Sequence, residues 1–364
     1  MPGIELCQEC KVPKTFSDGQ EWMNNGDIVQ RLNNKARMAF GECEFLDPLF
    51  QMIEQMIGAP IEHMLINLTA RASALYLAWL IPAEVRQMVQ SKQLEMTPFM
   101  EGLTTLAEVS GFAKYERLGM RYENDQDDYC KYRVIDPFSL PLAAGGYVGA
   151  VTGVVDGEHA VTYKEILPNT YEFTTHWDKY PTVLKEKLRV RGHNHKEGDI
   201  HFERCETCGA PKECSDYEWL LEKGNIRHRR DGRRMVLLSP EMIDPVFTAL
   251  ESELGEIFPA VVVEAGSKVM KGGFNTIDLL DNEACIRHHL AFRGFGNLVE
   301  ISATPKKMSV RMKDACFFLL LAGMFQAAFE KAYDVDSNIE WEITEETELQ
   351  LTVTPKRVVL PVTS

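Results

Sequence analysis

The stretch Cys7-Gln8-Glu9-Cys10-Lys11-Val12-Pro13-Lys14 returns as Cys205-Glu206-Thr207-Cys208-Gly209-Ala210-Pro211-Lys212. Such a recurrence marks a duplicated unit, and the match extends outward from it. Ser17-Asp18 returns at the same spacing as Ser215-Asp216, and Gly26-x-Ile28 as Gly224-x-Ile226. Glu21-Trp22 answers to Glu218-Trp219 after a slip of one residue. From Arg37-Met38 and Arg234-Met235 the new register holds to Asp47-Pro48-x-Phe50 and Asp244-Pro245-x-Phe247. Farther on, Gly111-Phe112 matches Gly294-Phe295. A gapless run from Asp136 then pairs with the run from Asp314, setting Leu142, Ala144, Gly145 and Tyr147 against Leu320, Ala322, Gly323 and Phe325. The chain therefore reads as a first repeat over residues 1–180, a polar connector over 181–204 carrying His193, His195 and His201, and a second repeat over 205–364.

Local patterns give each repeat an α+β character. Trp22 to Phe40 and Trp219 to Leu237 read as hairpins, with Asn33-Asn34 and Asp231-Gly232 supplying the positive-φ residues of tight turns. Asp47-Pro48 and Asp244-Pro245 place a capping side chain and a first-turn proline before apolar-periodic runs, which is a helix start. A long helical region follows from about Ile61 to Gln90, to be kinked or broken at Pro82. Strands are expected from Gly111 and from about Asp128, a small-residue helix over 138–154, and two closing strands from His159 to His176. The expected architecture is two repeats, each a hairpin and helices followed by an antiparallel sheet packed with helices, related by a pseudo-two-fold axis.

Charge and composition narrow the function. Lys plus Arg total 39 against 54 Asp plus Glu, a net charge of −15 that disfavours nucleic acid as a partner. The basic cluster Arg227, His228, Arg229, Arg230, Arg233 and Arg234 reads as a solvated hairpin face. No segment resembles a signal peptide or a membrane span, so a soluble, cytoplasmic protein without membrane contact is expected. Nine cysteines, an odd number, fit thiols and metal ligands better than a disulfide framework. Cys130, Cys285 and Cys316 lie in apolar or mixed text and read as core residues.

The hairpin text Trp22…Gly26-Asp27-Ile28…Arg37-Met38, the helix Ala144-Gly145-Gly146-Tyr147-Val148-Gly149-Ala150 and the strand Val161-Thr162-Tyr163-Lys164-Glu165 together carry a resemblance. They resemble the sensor domains of phenol- and xylene-responsive transcription activators and the related 4-vinyl-reductase-type domain. The resemblance implies a pocket between helices and sheet for a small hydrophobic or aromatic ligand, a module that dimerises, and a protein partner that reads occupancy. It also implies a zinc site on a glutamate and cysteines. Glu165 matches the glutamate, but Pro168 and His176 stand where the cysteines belong, and Ile339 to Leu351 contain none, so that site is not expected. The ATPase and DNA-binding domains of the activators have no counterpart up to Ser364. The expected function is a ligand-binding sensor or accessory protein; the alternative is an enzyme or enzyme subunit acting on an aromatic compound or tetrapyrrole.

Two chemistries follow from particular residues. A Cys-x-x-Cys pair supplies two thiolates from one tight turn, and a structural zinc takes four. Cys7, Cys10, Cys205 and Cys208 can therefore share one zinc between the repeats. Alternatively Cys205 and Cys208 use Cys214 and His201 locally, or the thiols stay reduced and metal-free, or they serve redox chemistry. For the ligand, the candidates are His288 and His289, just before Gly294 where the phenol sensors place a ligand-contacting histidine. Tyr147 and Phe325 join them, at matching places on small-residue helices that either line a cavity or pack closely. No nucleophile elbow, phosphate loop or dinucleotide fingerprint appears.

Overall fold

The computed structural model describes residues 4–155, 157–178, 188–190, 192–274, 277–279, 282–344 and 347–356. In the first half, helix α1 (Lys14–Gly19) precedes strands β1 (Gln20–Trp22), β2 (Ile28–Gln30) and β3 (Asn33–Glu42). Helices α2 (Leu46–Ile57), α3 (Glu62–Leu80), α4 (Ala83–Gln90) and α5 (Met96–Val109) follow. Then come β4 (Lys114–Arg121), β5 (Tyr129–Ile135), α6 (Leu140–Val154), β6 (His159–Leu167) and β7 (Thr170–Trp177). The second half opens with a 3₁₀ turn at Lys212–Asp216, then β8 (Tyr217–Leu220), β9 (Asn225–His228) and β10 (Arg234–Leu238). It continues with α7 (Pro240–Leu254), α8 (Phe258–Met270), α9 (Glu283–Phe292), β11 (Asn297–Thr304), β12 (Lys307–Lys313), α10 (Phe318–Tyr333), β13 (Ser337–Ile343) and β14 (Leu349–Pro355). The class is α+β, with three antiparallel sheets.

The six-stranded sheet, ordered β1-β2-β3-β10-β9-β8, joins the two halves through one seam. There Met235, Val236, Leu237 and Leu238 of β10 face Glu42, Gly41, Phe40 and Ala39 of β3. Every residue of β10 is buried, as a strand covered on both faces must be. Successive side chains alternate between faces, so the seam feeds two cores. Ala39, Val236 and Leu238 enter the large helical core. Met38, Phe40, Met235 and Leu237 enter a smaller one roofed by the cysteine loops, where Phe16 packs on Trp22, Phe40 and Trp219. The two four-stranded sheets share one order, β4-β5-β7-β6 and β11-β12-β14-β13.

Local expectations meet the structure unevenly. The backbone breaks at Ile81-Pro82 and α3 and α4 diverge by 110°, because proline can neither donate to the preceding turn nor let its neighbour stay helical. The first hairpin turns at Arg31-Leu32 rather than Asn33-Asn34, since Gln30 already pairs with Asn33. The second turn includes Asp231-Gly232, with Gly232 at φ +72°. Asp244-Pro245 lies inside α7, which starts earlier at Ser239-Pro240, the same residue pattern five residues upstream. The arginine-rich hairpin pairs its charge with carboxylates of both halves: Arg227 with Glu44 and Arg233 with Glu42 of the first half, and Arg229 with Glu218 of the second. No single helix among the described residues is long and apolar enough to cross a membrane.

Each half inserts its hairpin into the other. Arg37, buried, donates to Gly294 O at 2.9 Å and Ala315 O at 3.3 Å; Arg234, buried, donates to Asp136 O at 2.7 Å and Gly111 O at 3.2 Å. Trp22 Nε1 donates to Phe292 O at 2.8 Å and Trp219 Nε1 to Val109 O at 3.0 Å. Gly111 and Gly294 both have positive φ, and a Cβ on either would sit 2.6 Å or 2.5 Å from the carbonyl of Met235 or Met38. Residues that match in sequence thus make matching contacts across the seam.

The small-residue helices serve close packing. A Cβ on Gly149 of α6 would lie 2.5 Å from Ala70 O of α3, and one on Gly323 of α10 would lie 2.9 Å from Val263 O of α8. Overpacking of this kind costs about 1–3 kcal/mol, and backbone cannot yield as a flexible side chain can. Gly149→Val is therefore expected to lose about 3 kcal/mol in urea unfolding with an unchanged m-value. A loss below about 0.5 kcal/mol would show that α3 and α6 do not touch in this way.

Candidate metal centre

The two Cys-x-x-Cys loops fold alike because their backbones close the same hydrogen bonds. Cys7 N donates to Val12 O at 2.8 Å and Lys11 N to Cys7 O at 3.1 Å; Cys205 N donates to Ala210 O at 2.8 Å and Gly209 N to Cys205 O at 2.9 Å. Lys11 and Gly209 take the same left-handed conformation, with φ at 63° and 73°. The glycine adopts it without strain, whereas Lys11 meets the steric cost of a Cβ there. Glu9 then ties one loop to the other, accepting from Thr207 N at 3.2 Å and Thr207 Oγ1 at 2.9 Å.

This pairing gathers all four thiols. Cys7 Sγ lies 3.7 Å from Cys205 Sγ and Cys10 Sγ lies 3.5 Å from Cys208 Sγ, with all four sulfurs within 4.8 Å of one another. A disulfide needs about 2.05 Å. A tetrahedral ion with metal–sulfur bonds of about 2.3 Å needs sulfur–sulfur edges of about 3.8 Å. The observed edges fit the second case, and all four thiols are free. Burial opposes ionisation of Cys7, but the backbone N–H groups of Cys10 and Glu9 and the neighbouring thiols outweigh it and bring Cys7 down to about 7. Burial pushes Cys10 well up and raises Cys205. A divalent ion would stabilise all four as thiolates. The cluster of Cys7, Cys10, Cys205 and Cys208 can hold a metal ion between the two halves. Cys214 is fully buried in the small core and, like His201, stands outside that set.

The remaining candidates are not gathered at one place. Tyr147 is buried in the first half, its hydroxyl donating to Cys130 O at 2.8 Å, and Phe325 is fully buried on α10. His288 turns to Glu213 and Phe202 and, with His289, borders the hollow at the second hairpin. His289 opens onto two hollows. One, of about 670 Å³, lies between α8, α9 and α10 and is lined by Met270, Phe274, Ile286, Met324 and Ala328. The other, of about 600 Å³, is rimmed by polar residues of the second hairpin. Crowding by protein, then the charges of Arg293, His228 and His288, hold His289 well below the ordinary histidine range, so its imidazole is neutral. Cys285 is exposed and opens onto both hollows, because α9 turns that face outward; Cys130 and Cys316 are buried.

Sequence reasoning passed over one cluster. Asp27, fully buried, receives His195 Nδ1 at 2.6 Å and His193 Nε2 at 3.3 Å. Burial opposes its ionisation, but Arg37 and the two imidazoles outweigh this and hold Asp27 below the usual carboxylate range. Two connector histidines at alternate positions were the available signal.

No protein-family model, no curated protein and no solved structure matches this chain. The centre is tested on the chain itself. Cobalt(II) added to metal-free protein is expected to give an intense thiolate charge-transfer band that Cys7→Ser and Cys205→Ser weaken equally, while Cys214→Ala and His201→Ala leave it intact. Loss in Cys205→Ser alone would select the local site instead.

Proposed function

We propose that this chain is a small-molecule-binding sensor or accessory protein built from two copies of one module, with structural zinc at Cys7, Cys10, Cys205 and Cys208 locking the copies together. The observation that carries the reading is the hollow beside His289, lined by apolar side chains with polar groups among them. At about 670 Å³ it falls within the range of small-molecule pockets, roughly 300–1,000 Å³. Met270 and Met324 give it adaptable walls, and Cys285 and the neutral His289 supply polar atoms for orienting a phenol or aromatic acid. Asp278 and Lys331 stand among its lining groups. The pairing of Trp22 with Trp219, Arg37 with Arg234 and Gly111 with Gly294 supports two copies about a pseudo-two-fold axis. So does the sheet order, which runs from β1 inward to β3 on one side and from β8 inward to β10 on the other. Four sulfur ligands leave no open position on zinc, so its role is structural.

The test is thermal stability of the zinc-loaded chain against phenols, aromatic acids and porphyrins. A ligand at a hundredfold excess over its Kd stabilises by about 2.7 kcal/mol, so saturable shifts of several degrees are expected. Met324→Trp, which fills the hollow, is expected to abolish the shift without changing the cobalt spectrum. A shift that persists in Met324→Trp places the ligand elsewhere, and turnover of the ligand supports the enzyme alternative.

A further inference from the structure

The two hairpins dock alike but differ in one charge. In the second hairpin Asn225 meets the turn residue Asp136, donating Nδ2–H to Oδ2 at 3.0 Å, and Arg234 pairs with the same carboxylate at 3.2 Å. At the matching place in the first hairpin stands Asp27, and the matching turn residue is Asp314. The donor amide is thus replaced by a second acid. Asp27 is fully buried and Asp314 is 2% exposed. Arg37 binds Asp27 Oδ1 at 2.8 Å, but its charge is also shared with Glu241 and Asp314. Asp314 Oδ1 is buried with no hydrogen-bond partner. Leaving such an oxygen unmet in the interior is costly, and one guanidinium among three carboxylates does not balance them.

Into this gap the connector brings two imidazoles. His193 Nε2 lies 3.3 Å from Asp27 Oδ2 and 3.6 Å from Asp314 Oδ1; His195 Nδ1 lies 2.6 Å from Asp27 Oδ2. The rings stand 4.8 Å apart between centroids at 71°, both aimed at the same oxygen. That oxygen also accepts Asn25 Nδ2–H at 2.7 Å, while His193 Nε2 and Asp314 Oδ1, beside it, are buried with no hydrogen-bond partner. A tetrahedral ion bound at about 2.0–2.1 Å to nitrogen and oxygen needs ligand edges of about 3.3 Å. Two of the observed edges are close to that, and the shortest opens by a small rotation of the imidazole.

We infer that Asp27, His193 and His195, whose donor atoms all lie within 4.8 Å of one another, form a second metal site for a divalent first-row transition ion that pins the connector to the first hairpin, with Asp314 as the neighbouring carboxylate on His193. Two imidazoles and a carboxylate are a borderline donor set that suits zinc or cobalt rather than calcium or copper(I). The ion pair of Arg37 with Asp27 Oδ1 and the hydrogen bond from Asn25 to Oδ2 are the outer contacts that fix a ligating carboxylate.

The site is separable from the thiolate centre by spectroscopy and stoichiometry. Metal-free full-length chain titrated with cobalt(II) is expected to bind two ions. One gives the thiolate charge-transfer band; the other gives only weak visible ligand-field absorption. His193→Ala/His195→Ala is expected to remove the second ion and leave the charge-transfer band, which also reports that the variant is folded. Cys7→Ser is expected to do the reverse. Asp314→Asn should weaken the second ion about tenfold or more. X-ray absorption on the wild-type zinc-loaded chain, which needs no variant, should find nitrogen or oxygen neighbours alongside sulfur. One ion per chain with an all-sulfur shell, unchanged in His193→Ala/His195→Ala, overturns the proposal and leaves the histidines as a hydrogen-bonded latch. An absent charge-transfer band with the ligand-field band retained sinks the thiolate centre and upholds this one.

Discussion

Strand β3 exchanges backbone hydrogen bonds with β10, and among the described residues no other pair of strands joins the two halves. Everything that involves both ends of the chain follows from that register. Because side chains alternate along the seam, a one-residue slip would send Phe40 and Leu237 into the helical core and Ala39 and Val236 under the cysteine loops. The aromatic group around Phe16 would then lose its floor, and the two loops would no longer meet at sulfur–sulfur contact. Docking of Arg37 and Arg234 fixes the same register by a second, polar route, since a guanidinium buried among carbonyls tolerates little displacement.

Much of this is legible in the text of the chain, and the illegible part has a common cause. Pro82, the two cysteine pairs, the small-residue helices and the closing strands act within a few residues of themselves, so local chemistry announces them. Asp231-Gly232 is a turn because glycine there satisfies a conformation no neighbour can change. The first turn escaped because Arg31 and Leu32 carry no turn signature; the strands on either side impose it. Ser239-Pro240 escaped because the repeat drew attention to Asp244-Pro245, which is aligned in sequence yet sits mid-helix. Cys285 looked apolar in its neighbourhood, but helix phase, not neighbourhood, decides which face meets solvent. The gathering of Asp27, His193, His195 and Asp314 depends on three distant segments, and no periodicity reports a contact of that range.

The same division separates the candidate ligand residues. His288 and His289 are consecutive, so a helix turns them about 100° apart; both border the hollow at the second hairpin, and of the two His289 alone reaches the hollow between α8, α9 and α10. Tyr147 and Phe325 match in sequence but sit on helices of different halves within the one large core, where an aromatic ring fills volume. The hollow instead draws its walls from α8, α9 and α10, and its chemistry from groups that single out the second half.

The cysteine loops also bear on how the chain is made. Cys7 and Cys205 stand 198 residues apart, and at synthesis rates of about 5–20 residues per second that separation corresponds to roughly 10–40 s on the ribosome. Throughout that interval the first loop holds two thiols with no partner, and β3 presents an unpaired edge. An open edge accepts any strand of the right pattern, and on a polysome the nearest such strand belongs to another nascent copy. The order of translation therefore places an intermolecular exchange, Cys7 of one chain with Cys205 of the next, in direct kinetic competition with folding.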